Sequence, residues 1–136
     1  MALGLQDTQI SKSFQEGLYD IRMNCYPPWL QFLKDGKWVN VEPIEGAIVV
    51  NIGHIIEVMS NGIYKAPEHR GVVNKWKERL SIVTFCYPSP NTNIGPAKEL
   101  ISEGNPAVYE NLTNAEYFSS FFNRKLEESF IDSLRV

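Results

Sequence analysis

Residues 79–87 read RLSIVTFCY, the clearest strand in the chain. Its side chains alternate, and it is rich in the β-branched and aromatic types that suit a pleated surface. Other short strands lie around it. Residues 21–26 (IRMNCY) alternate roughly and end at Pro27-Pro28. Residues 29–33 and 38–41 flank an Asp35-Gly36 turn signal, which predicts a β-hairpin. A turn is expected over 43–46. Residues 47–52 (AIVVNI) form a continuous apolar, β-branched run, the pattern of a strand buried on both faces. Residues 54–59 continue extended or as a short turn of helix. Asn61-Gly62 reads as a turn, and residues 65–73 as a strand region broken by Pro67. A loop rich in Pro, Asn and Gly occupies 88–95.

Helices flank these strands. Leu5, Ile10, Phe14 and Leu18 fall on or near one face of a helix over 5–18, with Gly17 as its stop. Thr113 or Asn114 caps a second helix through Phe122, with Tyr117, Phe118, Phe121 and Phe122 on its apolar side. The expected class is mainly β with flanking helices. Short strands joined by turns, without βαβ alternation, predict a jelly-roll or sandwich core. The organisation read from the pattern is a helical segment over 1–19, a β domain over 20–110 and a helical tail over 111–136.

Composition sets bounds on function. With 136 residues, 43% hydrophobic and 21% charged, the chain reads as one globular domain. A net charge of −3 offers no basic footprint for nucleic acid. Cys25 and Cys86 lie in strand-like apolar runs, so two buried thiols are expected rather than a disulfide framework. The N-terminal residues lack the pattern of a secretory signal, and no apolar run approaches the ~20 residues that span a bilayer. A cytoplasmic location without membrane attachment is the expectation. The Asn111-Leu112-Thr113 sequon is then silent.

The chemistry-bearing residues cluster around the best strand. Residues 60–81 read SNGIYKAPEHRGVVNKWKERLS, with His69 ten residues ahead of an Arg79-x-Ser81 pair. Strand side chains repeat with period two, so Arg79, Ser81 and Phe85 share a face while Leu80 turns away. Asn24 and Tyr26 likewise share a face of the earlier strand. Singly, each is an ordinary strand or turn residue.

In order and spacing, however, the set resembles the plant iron(II)- and 2-oxoglutarate-dependent dioxygenases, in the senescence-related, flavonoid- and alkaloid-modifying group. The resemblance runs from about residue 16 to 136. It is carried by DIRMNCYPP (20–28), LQFLKDGKWVNV (30–41), AIVVNIGHIIEVMSNG (47–62), the His69 and Arg79 stretch, and IGPAKEL (94–100) with the aromatic tail. It implies a partial double-stranded β-helix, with Fe(II) and 2-oxoglutarate as cofactors and a small plant metabolite as substrate. It also implies roles. His69 would be an iron ligand. Arg79 and Ser81 would hold the far carboxylate of 2-oxoglutarate, since a guanidinium fork reads a carboxylate in bidentate fashion. Tyr26 and Asn24 would reach the same molecule. Phe85 would wall the pocket and stack on a flat substrate.

The chain departs from that family at one point above all. Two histidines and a carboxylate hold non-haem iron in such enzymes, and the family takes two of the three from a His-x-Asp pair. No His-x-Asp occurs here. Pro28 runs directly into Trp29-Leu30-Gln31, so the segment that carries the pair is missing at that join. His54 stands where the family usually has aspartate. His54, Glu57 and His69 are the remaining candidate donors, but in a strand His54 and Glu57 point to opposite faces. One histidine with exchangeable carboxylates holds iron weakly. Loss of central strands also predicts low solubility or self-association through exposed sheet edges, with apolar residues such as Ile48, Val50 and Phe85 losing cover.

Overall fold

The structure is a computed structural model that describes residues 3–5, 7–25, 28–73, 80–125 and 129–136. A short helix α1 (Asp7–Ser11) continues as a 3-10 turn over Lys12–Phe14. Strand β1 (Leu18–Cys25) begins at once after Gly17. The expected helix over 5–18 is therefore shorter, and Leu18 belongs to the strand. A β-carbon at Gly17 would sit 2.2 Å from the Tyr87 carbonyl oxygen. That close approach lets the chain enter β1 alongside the end of its partner strand.

β1 pairs antiparallel with β5 (Leu80–Tyr87) over their whole length, from Leu18 opposite Tyr87 to Cys25 opposite Leu80. A second sheet has the order β3-β2-β4, from β2 (Pro28–Lys34), β3 (Lys37–Asn40) and β4 (His69–Val73). The β2–β3 hairpin is the one expected. Asp35 and Gly36 take φ of 50° and 73°, the left-handed pair that a two-residue turn demands. Of the strand region expected over 65–73, only β4 from His69 onward forms, and residues 65–68 around Pro67 are not strand. A third, two-stranded sheet joins β6 (Asn93–Ile94) to β7 (Leu112–Thr113).

Other expectations fail. Residues 47–52 form no strand, and Ile48 and Val50 are 87% and 86% exposed. The run has the composition of a buried strand, but none of the described strands lies beside it. Backbone donors and side chains without neighbours cannot make a ladder. Cys86 is exposed rather than buried, because the alternation along β5 places it with Leu80, Ile82 and Thr84 on the outer face. The Cys25 side chain lies outside the described ones.

Among the described residues, the buried core takes none of its members from the two larger sheets, though Tyr87 of β5 packs against it. Helix α2 (His54–Met59) buries Ile55, Val58 and Met59 against Ile94, Tyr109, Tyr117, Phe130 and Leu134. Tyr117 meets Phe130 edge-on at 5.2 Å between centroids, and Phe121 meets Phe130 at 5.1 Å, in the offset geometry that aromatic quadrupoles favour. Helix α3 (Asn114–Asn123) supplies Tyr117 and Phe121. Phe122, expected on the packed side, instead faces solvent. Thr113 is the N-cap of α3. Its hydroxyl accepts from the Glu116 N–H at 3.2 Å, and the Glu116 carboxylate accepts from the Thr113 N–H at 2.7 Å. Both orphan donors are thereby satisfied in a capping box. Replacing Thr113→Ala should cost about 1 kcal/mol, read as a lower midpoint in chemical denaturation, with Thr113→Ser losing much less.

Candidate functional site

The inner face of the β1–β5 ribbon carries Asp20, Arg22 and Asn24 from β1, with Ser81, Val83, Phe85 and Tyr87 from β5. Asn24 lies directly opposite Ser81 in the register. Its amide Nδ2 donates to the Ser81 hydroxyl at 3.5 Å. The ribbon thus brings together two of the residues expected to reach 2-oxoglutarate. Phe85 is on the same face, stacked parallel on Tyr87 with centroids 6.1 Å apart. The Arg22 guanidinium carbon sits 5.8 Å from the Phe85 ring centroid. Arg22 is a cation on the candidate face that the sequence reading passed over. Period two counted back from Asn24 was signal enough to find it. Tyr26 and Arg79 lie outside the described residues.

His69 is on the other large sheet. It opens β4 opposite Phe32 of β2, with the two rings tilted and their centroids 5.8 Å apart. Its Nδ1 is 3.1 Å from the Pro67 carbonyl oxygen. A carbonyl only accepts, so this contact puts a proton on Nδ1, and in the neutral ring Nε2 is then the nitrogen with the free lone pair. That is the tautomer a metal-ligating imidazole uses, with its other nitrogen held by a backbone carbonyl.

The remaining donors do not join it. His54 begins a helix rather than continuing a strand, so His54 and Glu57 sit one turn apart. The His54 ring is half-buried with its centroid 6.2 Å from that of Phe130. Burial lowers its pKa most, the Glu57 charge opposes this, and Arg124 and His69 lower it further. Glu57 is fully engaged elsewhere. Its Oε2 accepts from the Ala66 N–H at 2.7 Å. Its Oε1 accepts from the Tyr109 hydroxyl at 2.7 Å and from Lys65 Nζ at 3.1 Å. Burial alone would raise its pKa, but the hydrogen bonds from Ala66, Tyr109 and Lys65 together hold it below the ordinary value. Among the described residues, no three of His, Cys, Asp and Glu converge as a metal site.

The Glu57 cluster also escaped the sequence reading. The one available signal was a lone charge inside the apolar run HIIEVM, which marks a buried group that needs partners. The cluster ties α2 to the approach of His69. Asn61 adds a second tie: its Nδ2 donates to the Pro106 carbonyl at 3.0 Å, and its Oδ1 accepts from the Val108 N–H at 2.8 Å. Together they fix the path of the segment that leads into β4.

Comparison with known proteins gives this geometry a family. Residues 22–88 match the 2OG-Fe(II) oxygenase superfamily. The oxoglutarate-dependent flavonoid 7-O-demethylase 1 of Ocimum basilicum is 36% identical over 165 residues, covering 99% of this chain and 44% of that protein. The DMR6-LIKE OXYGENASE 2 of Arabidopsis thaliana is 48% identical over 110 residues, 79% of this chain and 32% of that one. The crystal structure of JOX2 in complex with 2OG, Fe and JA superposes with a TM-score of 0.81 at 28% identity, covering 98% of this chain and 49% of that one. The chain belongs to the 2OG-Fe(II) oxygenase superfamily, and its sheets are part of that jelly roll. The superfamily's cofactors are Fe(II) and 2-oxoglutarate.

The chain spans about half the length of the relatives it matches. The basil alignment runs over 165 positions and this chain has 136 residues, so at least 29 positions (165 − 136) have nothing opposite them here. That alignment takes in 99% of the chain, so those positions fall within it rather than beyond its ends. The donor set among the described residues does not fit an iron ion held by two histidines and a carboxylate.

The Glu57 cluster makes a pH prediction. A carboxyl whose folded pKa lies below its ordinary 4.5 adds stability at pH values above that, and the contribution is lost as pH falls through the folded pKa. Between neutral pH and pH ~3, the wild-type chain should lose more stability than Glu57→Gln. Urea midpoints across that range check this, and identical slopes would contradict it.

Proposed function

We propose that this chain carries the 2-oxoglutarate half of a dioxygenase site and a single iron ligand, His69, so that oxidative turnover is impaired in the chain as it stands. The whole-protein activity behind that half is oxidation of a small plant specialised metabolite by hydroxylation, demethylation or desaturation. The observation that carries the reading is the split of the site. Asn24 and Ser81 meet on one sheet, His69 stands on the other, and Glu57, the carboxylate among the candidate donors, is committed to Ala66, Tyr109 and Lys65.

Each residue has work that needs no metal. Arg79 would fork onto the distal carboxylate of 2-oxoglutarate, and the Ser81 hydroxyl would donate to the same group from the same strand face. Asn24 orients Ser81 through the amide contact and, with Tyr26, would reach the rest of the acid. Phe85, backed by Tyr87, offers a flat wall for a planar substrate. Bound iron would supply O₂ activation in the intact family site, and the donors here do not support a step through it.

A second reading is a chain that binds 2-oxoglutarate or a protein partner without catalysis. The inner face of the ribbon supports it equally, and the two readings share the same binding residues. Nothing in the charge balance favours nucleic acid, and none of the described helices is long and apolar enough to cross a membrane. A cytoplasmic location belongs to the same proposal, as does self-association at the open edges of the two-stranded ribbon.

Calorimetric titration with 2-oxoglutarate tests the binding half directly. The wild-type chain should give a saturable isotherm. Arg79→Ala should weaken it by about tenfold or more, the scale of one charge-assisted hydrogen bond, and Ser81→Ala by less. Equal binding by Arg79→Ala and wild type would remove 2-oxoglutarate from this face.

A further inference from the structure

Only one face of the β1–β5 ribbon is covered. On the inner side Tyr87 packs edge-on against Phe118 of α3 at 4.8 Å. The outer side carries Tyr19, Ile21 and Met23 from β1 with Leu80 and Ile82 from β5, each between 60% and 71% exposed. The register sets Met23 opposite Ile82 in the middle of this face. No charged residue of either strand stands on it, since Asp20 and Arg22 both point inward. A two-stranded ribbon is marginal in water by itself and needs a further layer to be secure.

We propose that this outer face is a self-association surface, on which two copies of the chain pack their β1–β5 ribbons face to face. Its five large side chains amount to roughly 600 Å² of exposed apolar surface, well beyond the scattered single residues that ordinary surfaces carry. Two such faces together would bury about 1,200 Å², the lower end of specific interfaces. A like-with-like contact is isologous, and the same patch serves both partners. The absence of charge lets two copies of a chain with net charge −3 meet here without local repulsion. The relief of the face suits such a contact. Tyr19 and Ile21 stand opposite the smaller Cys86 and Thr84, so a ridge on β1 runs beside a hollow on β5. A two-fold axis between the copies can lay one ridge toward the other's hollow. This packs faces rather than joining open edges, and it is independent of the 2-oxoglutarate reading.

Sedimentation velocity of the 136-residue chain, in reducing buffer from low to high micromolar concentration, tests it. A reversible monomer–dimer equilibrium is expected. Met23→Glu and Ile82→Glu should each weaken it by roughly tenfold or more with unchanged circular dichroism, because both positions are exposed. Ile48→Glu and Val50→Glu, on the unpaired run, should leave it intact. A chain that stays monomeric throughout overturns the proposal and frees the face for a different polypeptide. So does an association that the ribbon variants spare and the Ile48 or Val50 variants dissolve. Should the ribbon variants not fold, alkylation of wild-type Cys86, read on its peptide by mass spectrometry, decides. Its rate should fall as concentration rises, and a constant rate overturns the proposal.

Discussion

The Glu57 carboxylate holds the two halves of this structure in relation to each other. It sits almost wholly buried in α2 and accepts from the backbone just ahead of His69 and from Tyr109 in the C-terminal core. A buried charge is tolerated only when its hydrogen bonds replace those it had in water. Here three donors do so, and Lys65 supplies the opposite charge. With the Asn61 contacts to Pro106 and Val108, the cluster ties the segment that leads to His69 to the aromatic core. The same engagement withholds Glu57 from any metal, so one interaction both orders the site and limits its chemistry.

Much of this was legible in the sequence where the determinant is local. The Asp35-Gly36 turn, the capping box at Thr113 and the alternation along β5 each need only a few adjacent residues, and each is present. Period two placed Asn24 with Tyr26 and Ser81 with Phe85, whereas the meeting of Asn24 with Ser81 comes from the pairing of β1 with β5. Residues 47–52 show the opposite case. Their composition is that of an interior strand, but burial belongs to the neighbours as much as to the segment. Cys86 was misjudged for a related reason: its hydrophobic run has two faces, and only one is covered. The Glu57 ties span 8 to 52 residues of sequence, and no local pattern encodes a contact between side chains so far apart.

Among the described residues the jelly-roll strands form two separate sheets, β1-β5 and β3-β2-β4, beside the short β6-β7 pair. The core gathers around α2, α3 and the C-terminal segment, with Tyr87 the residue of the two larger sheets packed against it. The sheets that remain are short and antiparallel, with exposed faces and edges. Asn24 and Ser81 stand on the β1–β5 ribbon, and His69 stands on the β3-β2-β4 sheet.

Metal retention tests that division most directly. The purified chain would be incubated anaerobically with Fe(II) and 2-oxoglutarate, desalted, assayed for iron, and then exposed to O₂ while succinate is followed. The account predicts iron far below one equivalent and no succinate above the iron-free control. Stoichiometric iron with 2-oxoglutarate-dependent succinate release would contradict it and show that these residues rebuild a working centre.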